Sequence, residues 1–272
     1  METKVVLITG ASTGIGLAAA EQLMNKGVKV YAASRRGGKS LKAQSGEGEL
    51  IHVKMDINIE TEIASVIAKI LKENNRLDAV ICNAGNGIAG SVEDTSIDEL
   101  RYQFETNFFG TIKTIQACLP VFRAQGYGKI LTTSSVAAIV PIPFQAFYSA
   151  VKSALLVFMQ ALTIEVKPFG IQCCTILPGD TKTNFTSARI YTTRSQSVDS
   201  VYYNKMKSSV GKMELDEQNG MSPNVIAQNM VQQIMSKRMK AIVIPGIQYK
   251  TICWLFNRVP AEISLWVVGK IY

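Results

Sequence analysis

Apolar residues in this 272-residue chain fall into two alternating patterns. Short unbroken runs of aliphatic and β-branched residues occupy 4–9, 28–34, 50–55, 78–82, 129–134 and 171–177. Each stops at Gly, Ser, Asp, Asn or Pro, and this length and abruptness predict strands buried on both faces. Between them, apolar residues return every three or four positions over 17–26, 59–74, 97–124 and 147–166, which predicts helices. The last of these is apolar nearly all round, with Val151, Leu155, Val157, Phe158 and Leu162, so it is expected to be buried on two sides, against the sheet and against a partner subunit. The stretch 37–49 is polar, glycine-rich and too short for a long crossover helix. Strand–helix alternation without repeats or linkers predicts an α/β fold over 1–272, a single domain built on a doubly wound, mostly parallel sheet.

In such a sheet, ligands sit beyond the carboxyl ends of the strands. The first strand runs into Thr9-Gly10-Ala11-Ser12-Thr13-Gly14-Ile15-Gly16 and then a helix. Glycines there let backbone approach a pyrophosphate, and the helix N-terminus offers free N–H groups and a positive dipole end. The spacing G-x-x-x-G-x-G departs from the general dinucleotide fingerprint G-x-G-x-x-G. The second strand ends at Ser34-Arg35-Arg36, where a carboxylate would bind an adenosine ribose in NAD enzymes. Two guanidinium groups in its place fit a 2′-phosphate, which argues for NADP(H). Asp56, the triplet Asn83-Ala84-Gly85, Ser135 and Pro178-Gly179 fall on other strand ends, so independent signals converge on one cleft.

Tyr148 and Lys152 lie four residues apart at the start of a helical run and share a face. A lysine ammonium one turn away is expected to favour the phenolate and lower the Tyr148 pKa, making it a proton shuttle near neutrality. Ser135, thirteen residues upstream of Tyr148, can hold a substrate oxygen beside it; the spacing favours it over Ser134.

The formal charge is +8, with eleven Lys/Arg against five Asp/Glu from Arg189 onward. The basic residues are scattered rather than clustered with aromatics, which argues against nucleic acid. Five cysteines without a C-x-x-C pair and one histidine, His52, give no metal site and suit a reducing, cytoplasmic setting. Cys82, Cys173 and Cys174 read as small buried hydrophobes. The chain starts Met1-Glu2-Thr3-Lys4 and enters a strand at once, so no signal peptide is expected. No apolar run is expected to reach the length of a membrane span.

Taken together, the glycine turn, Asn83-Ala84-Gly85, Asn107, Ser135, Tyr148-x-x-x-Lys152 and Pro178-Gly179 resemble the short-chain dehydrogenase/reductase family over about residues 4–245. The resemblance implies a Rossmann-like fold and direct hydride transfer between a nicotinamide and an alcohol or carbonyl carbon. It implies Tyr148 as proton donor or acceptor and Ser135 as the group orienting the substrate oxygen. It places Lys152 on the nicotinamide ribose, with Asn107 holding a water that links the lysine to solvent. It gives Gly10, Ser12, Gly14, Ile15, Gly16, Arg35, Arg36, Asp56, Ile57, Asn83, Ala84, Gly85, Pro178, Gly179, Thr181 and Thr183 as cofactor contacts. Thr181 stands where the family commonly has Val. The apolar segment 139–144, Phe185 and the substrate-loop region 184–220, with Tyr191, Tyr202, Tyr203 and Met206, suggest a lipophilic substrate; no charged residue stands out there to grip a phosphate or acid. The C-terminal extension 246–272 is similar to the hydroxysteroid and retinol dehydrogenase-like branch. A 3-oxoacyl thioester reductase, an acyl-dihydroxyacetone-phosphate reductase and a non-catalytic NADP sensor are the alternatives. A homodimer or homotetramer is expected. Two apolar clusters in the extension, 252–256 and 263–268, either pack against the sheet or a subunit, or rest on a membrane surface beside the substrate entrance; Pro260 is expected to open the second helix in its first turn.

Overall fold

The computed structural model describes residues 3–43 and 48–272; residues 1–2 and 44–47, the latter within the polar stretch 37–49, lie outside the described residues. The first half runs β1 (Val5–Thr9), α1 (Gly14–Met24), β2 (Lys29–Ser34), β3 (Leu41–Lys42), β4 (Glu49–Lys54), α2 (Glu60–Asn74), β5 (Ala79–Cys82) and β6 (Ile88–Ala89). Then come α3 (Ile97–Phe104), α4 (Gly110–Gln125), β7 (Gly128–Thr133), α5 (Ala146–Glu165), β8 (Ile171–Ile176) and β9 (Ile190–Tyr191). The chain closes with α6 (Tyr203–Gln218), α7 (Pro223–Met235), β10 (Ile242–Val243), α8 (Ile247–Phe256) and α9 (Ala261–Ile271).

The main sheet has the order β10-β8-β7-β5-β1-β2-β4-β3, and all its pairings are parallel except that of the short edge strand β3 with β4. Along β1, Val5 and Leu7 face one layer while Val6 and Ile8 face the other. That two-residue alternation, apolar on both faces, is why the run reads as continuous hydrophobicity. One layer holds α2, α4 and α5 through Ile67, Phe122, Leu155 and Met159. The other holds α1 and α7 through Ala19, Leu23, Ile226 and Met230. The order of strands reverses between β1 and β5, so their carboxyl ends open the crevice where ligands bind in sheets of this kind. The expected doubly wound α/β fold is therefore present, and the five cysteines are buried and free.

Four features differ from expectation. The helix expected over 97–124 is interrupted by a π turn at Glu105–Phe109, which inserts one residue and turns Asn107 inward to 1% exposure. Second, α7 and β10 lie beyond the elements expected from periodicity; they follow Ser222-Pro223, an N-cap and a first-turn proline, with Ile226, Met230 and Ile234 at helical spacing. Lys129 on β7 donates to the carbonyls of Gln233, Ile234 and Ser236, closing the far end of α7. Third, α5, 20 residues with mean hydropathy 1.5, is long and apolar enough to cross a membrane, contrary to the expectation that no run would be. Its inward face carries Leu155, Met159 and Leu162 into the core, while Val157 and Ile164 stay exposed on the opposite face. Fourth, Pro260 sits as the residue before α9 rather than in its first turn.

Gly10 turns β1 towards α1 at φ 66°, and a Cβ there would lie 2.7 Å from Ala84 Cα. Gly10→Ala is expected to lower stability by about 1–3 kcal/mol through backbone strain and overpacking. Urea unfolding should show a lower midpoint with an unchanged slope; a wild-type midpoint would contradict the close approach of the two strand ends.

Candidate active site

The turn after β1 and the segment after β5 are knitted together. Thr9 Oγ1 accepts from the N–H groups of Asn83 (3.0 Å) and Ala84 (3.1 Å), and the Asn83 amide donates back to the Gly10 carbonyl at 3.3 Å. The start of α1 is left open: Thr13 makes no side-chain cap and the first turn carries no acidic residue. Its N–H groups, with half-buried Ser12 and Ile15 beside them, suit an anion. A Cβ on Gly14 would touch Thr183 at 3.4 Å, so the Pro178–Thr183 segment closes over this turn. Arg35 and Arg36 stand exposed at the end of β2 without an ion pair among the described residues. Asp56 Oδ1 accepts from Asn58 N–H at 2.9 Å, and its own N–H is held by Glu62. Ile57 is buried, its side chain facing Gly110. Thr181 is buried with its hydroxyl on the Gly179 carbonyl at 2.8 Å, and Thr183 Oγ1 accepts from Phe185 N–H.

Ser135, Tyr148 and Lys152 meet at the ends of β7 and α5. The Ser135 hydroxyl, which accepts from Ala137 N–H at 3.1 Å, lies close enough to the Tyr148 phenol to lower its pKa, and Lys152 Nζ lies 5.6 Å from the Tyr148 ring centre, donating to the Thr133 carbonyl at 2.9 Å. Ser134 instead points its hydroxyl into α5, bonding the Lys152 carbonyl at 2.8 Å. The π turn sets Asn107 alongside: its amide donates to Asn86 Oδ1 (2.8 Å) and the Gln103 carbonyl (2.9 Å). A Cβ on Gly85 would meet Asn107 Oδ1 at 2.6 Å and Lys152 Nζ at 3.8 Å, so glycine is what lets these groups approach.

The electrostatics differ from the expected lysine-lowered tyrosine. Burial pushes the Tyr148 phenol up to about 12, opposed by the Ser135 hydroxyl. The same burial pushes the Lys152 ammonium down to about 8. Desolvation outweighs the pull of the lysine because both groups sit under the same cover and Lys152 turns its charge towards Thr133. At neutral pH Tyr148 holds its proton.

The substrate side is less uniformly apolar than expected. Phe185 lies 5.8 Å from Tyr148, ring centre to ring centre, and Phe144 holds φ at 60°, a strained backbone for an aromatic. Behind Phe185, Arg189 is fully buried, 5.9 Å from its ring and paired with Glu214 at 3.1 Å and Glu217 at 2.5 Å. Tyr191, expected to line a substrate pocket, donates to Glu214 instead, and Thr186 donates to Glu217. This network straps α6 onto the segment that carries Phe185. Sequence reading passed over Arg189; its only trace was Glu214 and Glu217 facing one side of a helix three apart. At the rim, Tyr249 of α8 accepts from Asp180 N–H (3.0 Å) and donates to its carboxylate (2.9 Å). A Cβ on Gly179 would strike the Tyr249 ring at 2.2 Å, and burial raises the Asp180 carboxyl above its usual range.

The model of the short chain dehydrogenase family matches residues 4–193, and the chain belongs to that family. A 3-ketodihydrosphingosine reductase of Bacteroides thetaiotaomicron is 36% identical over 82% of this chain and 80% of its own. A probable short-chain type dehydrogenase/reductase of Helicobacter pylori is 34% identical over 95% and 94%. Human 17-beta-hydroxysteroid dehydrogenase type 1 is 32% identical over 68% of this chain and 59% of its own. Among solved structures, a short-chain dehydrogenase from Streptomyces avermitilis superposes with a TM-score of 0.81 at 25% identity, covering 98% of this chain and 97% of that one.

The lowered Lys152 pKa makes a prediction about stability. Below pH 8 the folded state carries a buried charge that the unfolded chain carries in water at no cost. Between about 8 and 10.5 the unfolded chain binds more protons than the folded one, so stability rises with pH across that window. Relative to Lys152→Met, wild type should gain on the order of 2–3 kcal/mol from pH 8 to 10. Lys129, also lowered to about 8, is common to both proteins and cancels. Thermal or urea melts across this range test it, and a flat difference curve would contradict the burial of a charged Lys152.

Proposed function

We propose that the chain is an NADP(H)-dependent oxidoreductase that interconverts an alcohol and a carbonyl on a lipophilic substrate. The observation that carries the reading is the Ser135–Tyr148–Lys152 cluster, where the carboxyl end of β7 meets the amino-terminal turns of α5. The residues around it fit a dinucleotide. The glycine turn leaves backbone and helix N–H groups open to a pyrophosphate. Two exposed arginines at the end of β2, with Ser34 in place of a carboxylate, favour a 2′-phosphate. When bound, the nicotinamide supplies or accepts the hydride. Ser135 donates to the substrate oxygen and fixes its carbon in line. Tyr148, protonated at neutral pH, gives its proton to that oxygen as negative charge develops on it, and in the reverse direction takes it back. Lys152 and the amide of Asn107 hold the charge and the hydrogen-bond path behind the tyrosine. The lipophilic reading is supported by Phe185 beside Tyr148, by Phe144 packed with Met206 and Met213, and by the relative named for reducing 3-ketodihydrosphingosine. The subunits associate as a homodimer or homotetramer through the outward face of α5, where Val157 and Ile164 are exposed.

Two substitutions test the assignment. Tyr148→Phe keeps the ring and removes the proton donor, so turnover of a ketone panel (steroid, retinal, long-chain aliphatic) should fall at least a hundredfold while NADPH binding stays nearly unchanged. Retention of more than about a tenth of wild-type activity, a barrier change of only about 1.4 kcal/mol, would refute the role. Arg35→Asp removes a charge-assisted partner of the 2′-phosphate and adds repulsion. The kcat/KM ratio for NADPH over NADH should drop by on the order of 10–100-fold. An unchanged ratio would move the recognition to Arg36 or elsewhere.

A further inference from the structure

The two C-terminal helices present their large apolar side chains outward. In α9 the buried positions are Ser264 and Val268, whereas Trp266 is 64% exposed and Ile263 and Ile271 are also exposed. In α8 only Cys253 is buried, while Trp254 is 58% exposed and Leu255 is exposed beside it. A helix that packs a serine inward and a tryptophan outward is inverted relative to an ordinary surface helix. The pair is nevertheless held in place at both ends. Tyr249 locks α8 onto Gly179 and Asp180. Tyr272, after α9, packs into the cluster of Met206 and Val210 on α6, and its carbonyl accepts from Lys205 at 2.8 Å. The outward face is thus fixed by the rim of the active site rather than loosely draped.

The charges say what covers this face. Arg258 lies 5.6 Å from the Trp254 ring and Lys270 lies 5.9 Å from the Trp266 ring, so each indole has a cation on it. Lys250 adds a third basic residue, against Glu262 alone on the acidic side. Indole and aliphatic groups mixed with lysine and arginine match the headgroup layer of an anionic bilayer, where the rings enter the interface and the cations meet lipid phosphates. A second copy of the chain fits worse. A two-fold contact through this face would set its own cations against each other.

We infer that α8 and α9 dock the protein onto an anionic lipid surface, with Trp254 and Trp266 inserted at the interface and Lys250, Arg258 and Lys270 paired to lipid phosphate. The inference concerns attachment and stands whether or not the substrate assignment holds. Vesicle binding is measured without turnover, so the two can fail separately.

Both tryptophans of the chain lie on this face, which makes intrinsic fluorescence a direct probe. Full-length protein at low salt is mixed with phosphatidylcholine vesicles containing about a quarter phosphatidylserine, and with pure phosphatidylcholine vesicles. A blue-shifted tryptophan emission and co-sedimentation with the anionic vesicles, much weakened on the neutral ones and reversed by salt, are expected. Lys250→Gln/Arg258→Gln/Lys270→Gln keeps both indoles and should weaken partitioning by about a hundredfold, roughly fivefold per charge. Unshifted emission with the protein in the supernatant would overturn the inference. Emission already blue without vesicles and moving to the red on dilution would also overturn it, by assigning the face to a second copy.

Discussion

The buried ammonium of Lys152 is the constraint around which the cleft is arranged. A lysine 6% exposed has few partners available, and this one turns its nitrogen to the Thr133 carbonyl at the end of β7. To bring it there, α5 must meet the sheet at that strand end, which the Ser134 bond to the Lys152 carbonyl secures. Glycine at 85 leaves room beside the ammonium, and the π turn aims Asn107 into the same space. Desolvation of this group and of Tyr148 by the same cover separates their pKa values to about 8 and about 12. A protonated phenol beside a lysine that titrates near pH 8 is a reasonable proton source for a developing alkoxide.

Around that centre, the remaining parts of the chain act as struts. The Thr9–Asn83–Ala84 bonds hold the two strand ends that flank the crevice. The buried Arg189–Glu214–Glu217 group fixes α6 against the Phe185 segment. Such a buried group is costly to assemble and costlier to break, since removing one partner strands the others' charge. Tyr249 joins the C-terminal extension to Gly179 and Asp180, so the roof of the cleft and the segment beside the glycine turn move together or not at all.

The sheet and the cleft were readable because strands covered on both faces write themselves as unbroken apolar runs, and because residues at their carboxyl ends must converge. The fifteen-residue helix α2 followed from period alone. What escaped depended on tertiary context. The π turn around Asn107 is one residue inserted into an otherwise helical pattern, which periodicity cannot register. Arg189 stood out in no sequence pattern because its partners lie twenty-five and more residues away in sequence. The direction of the Tyr148 shift was misjudged because the sequence shows the lysine nearby but not the burial that both share.

The central claim is that this cleft moves a hydride to carbon while Tyr148 moves the proton. The most direct measurement is the fate of the label when a reducible ketone is turned over with NADPH carrying deuterium at nicotinamide C4, each face labelled in turn. The account predicts that one of the two labelled forms gives product with a single deuterium on the carbinol carbon, and that in heavy water with unlabelled cofactor that carbon stays fully protiated. Deuterium absent from the product carbon with both forms, or solvent deuterium found on it, would contradict the account.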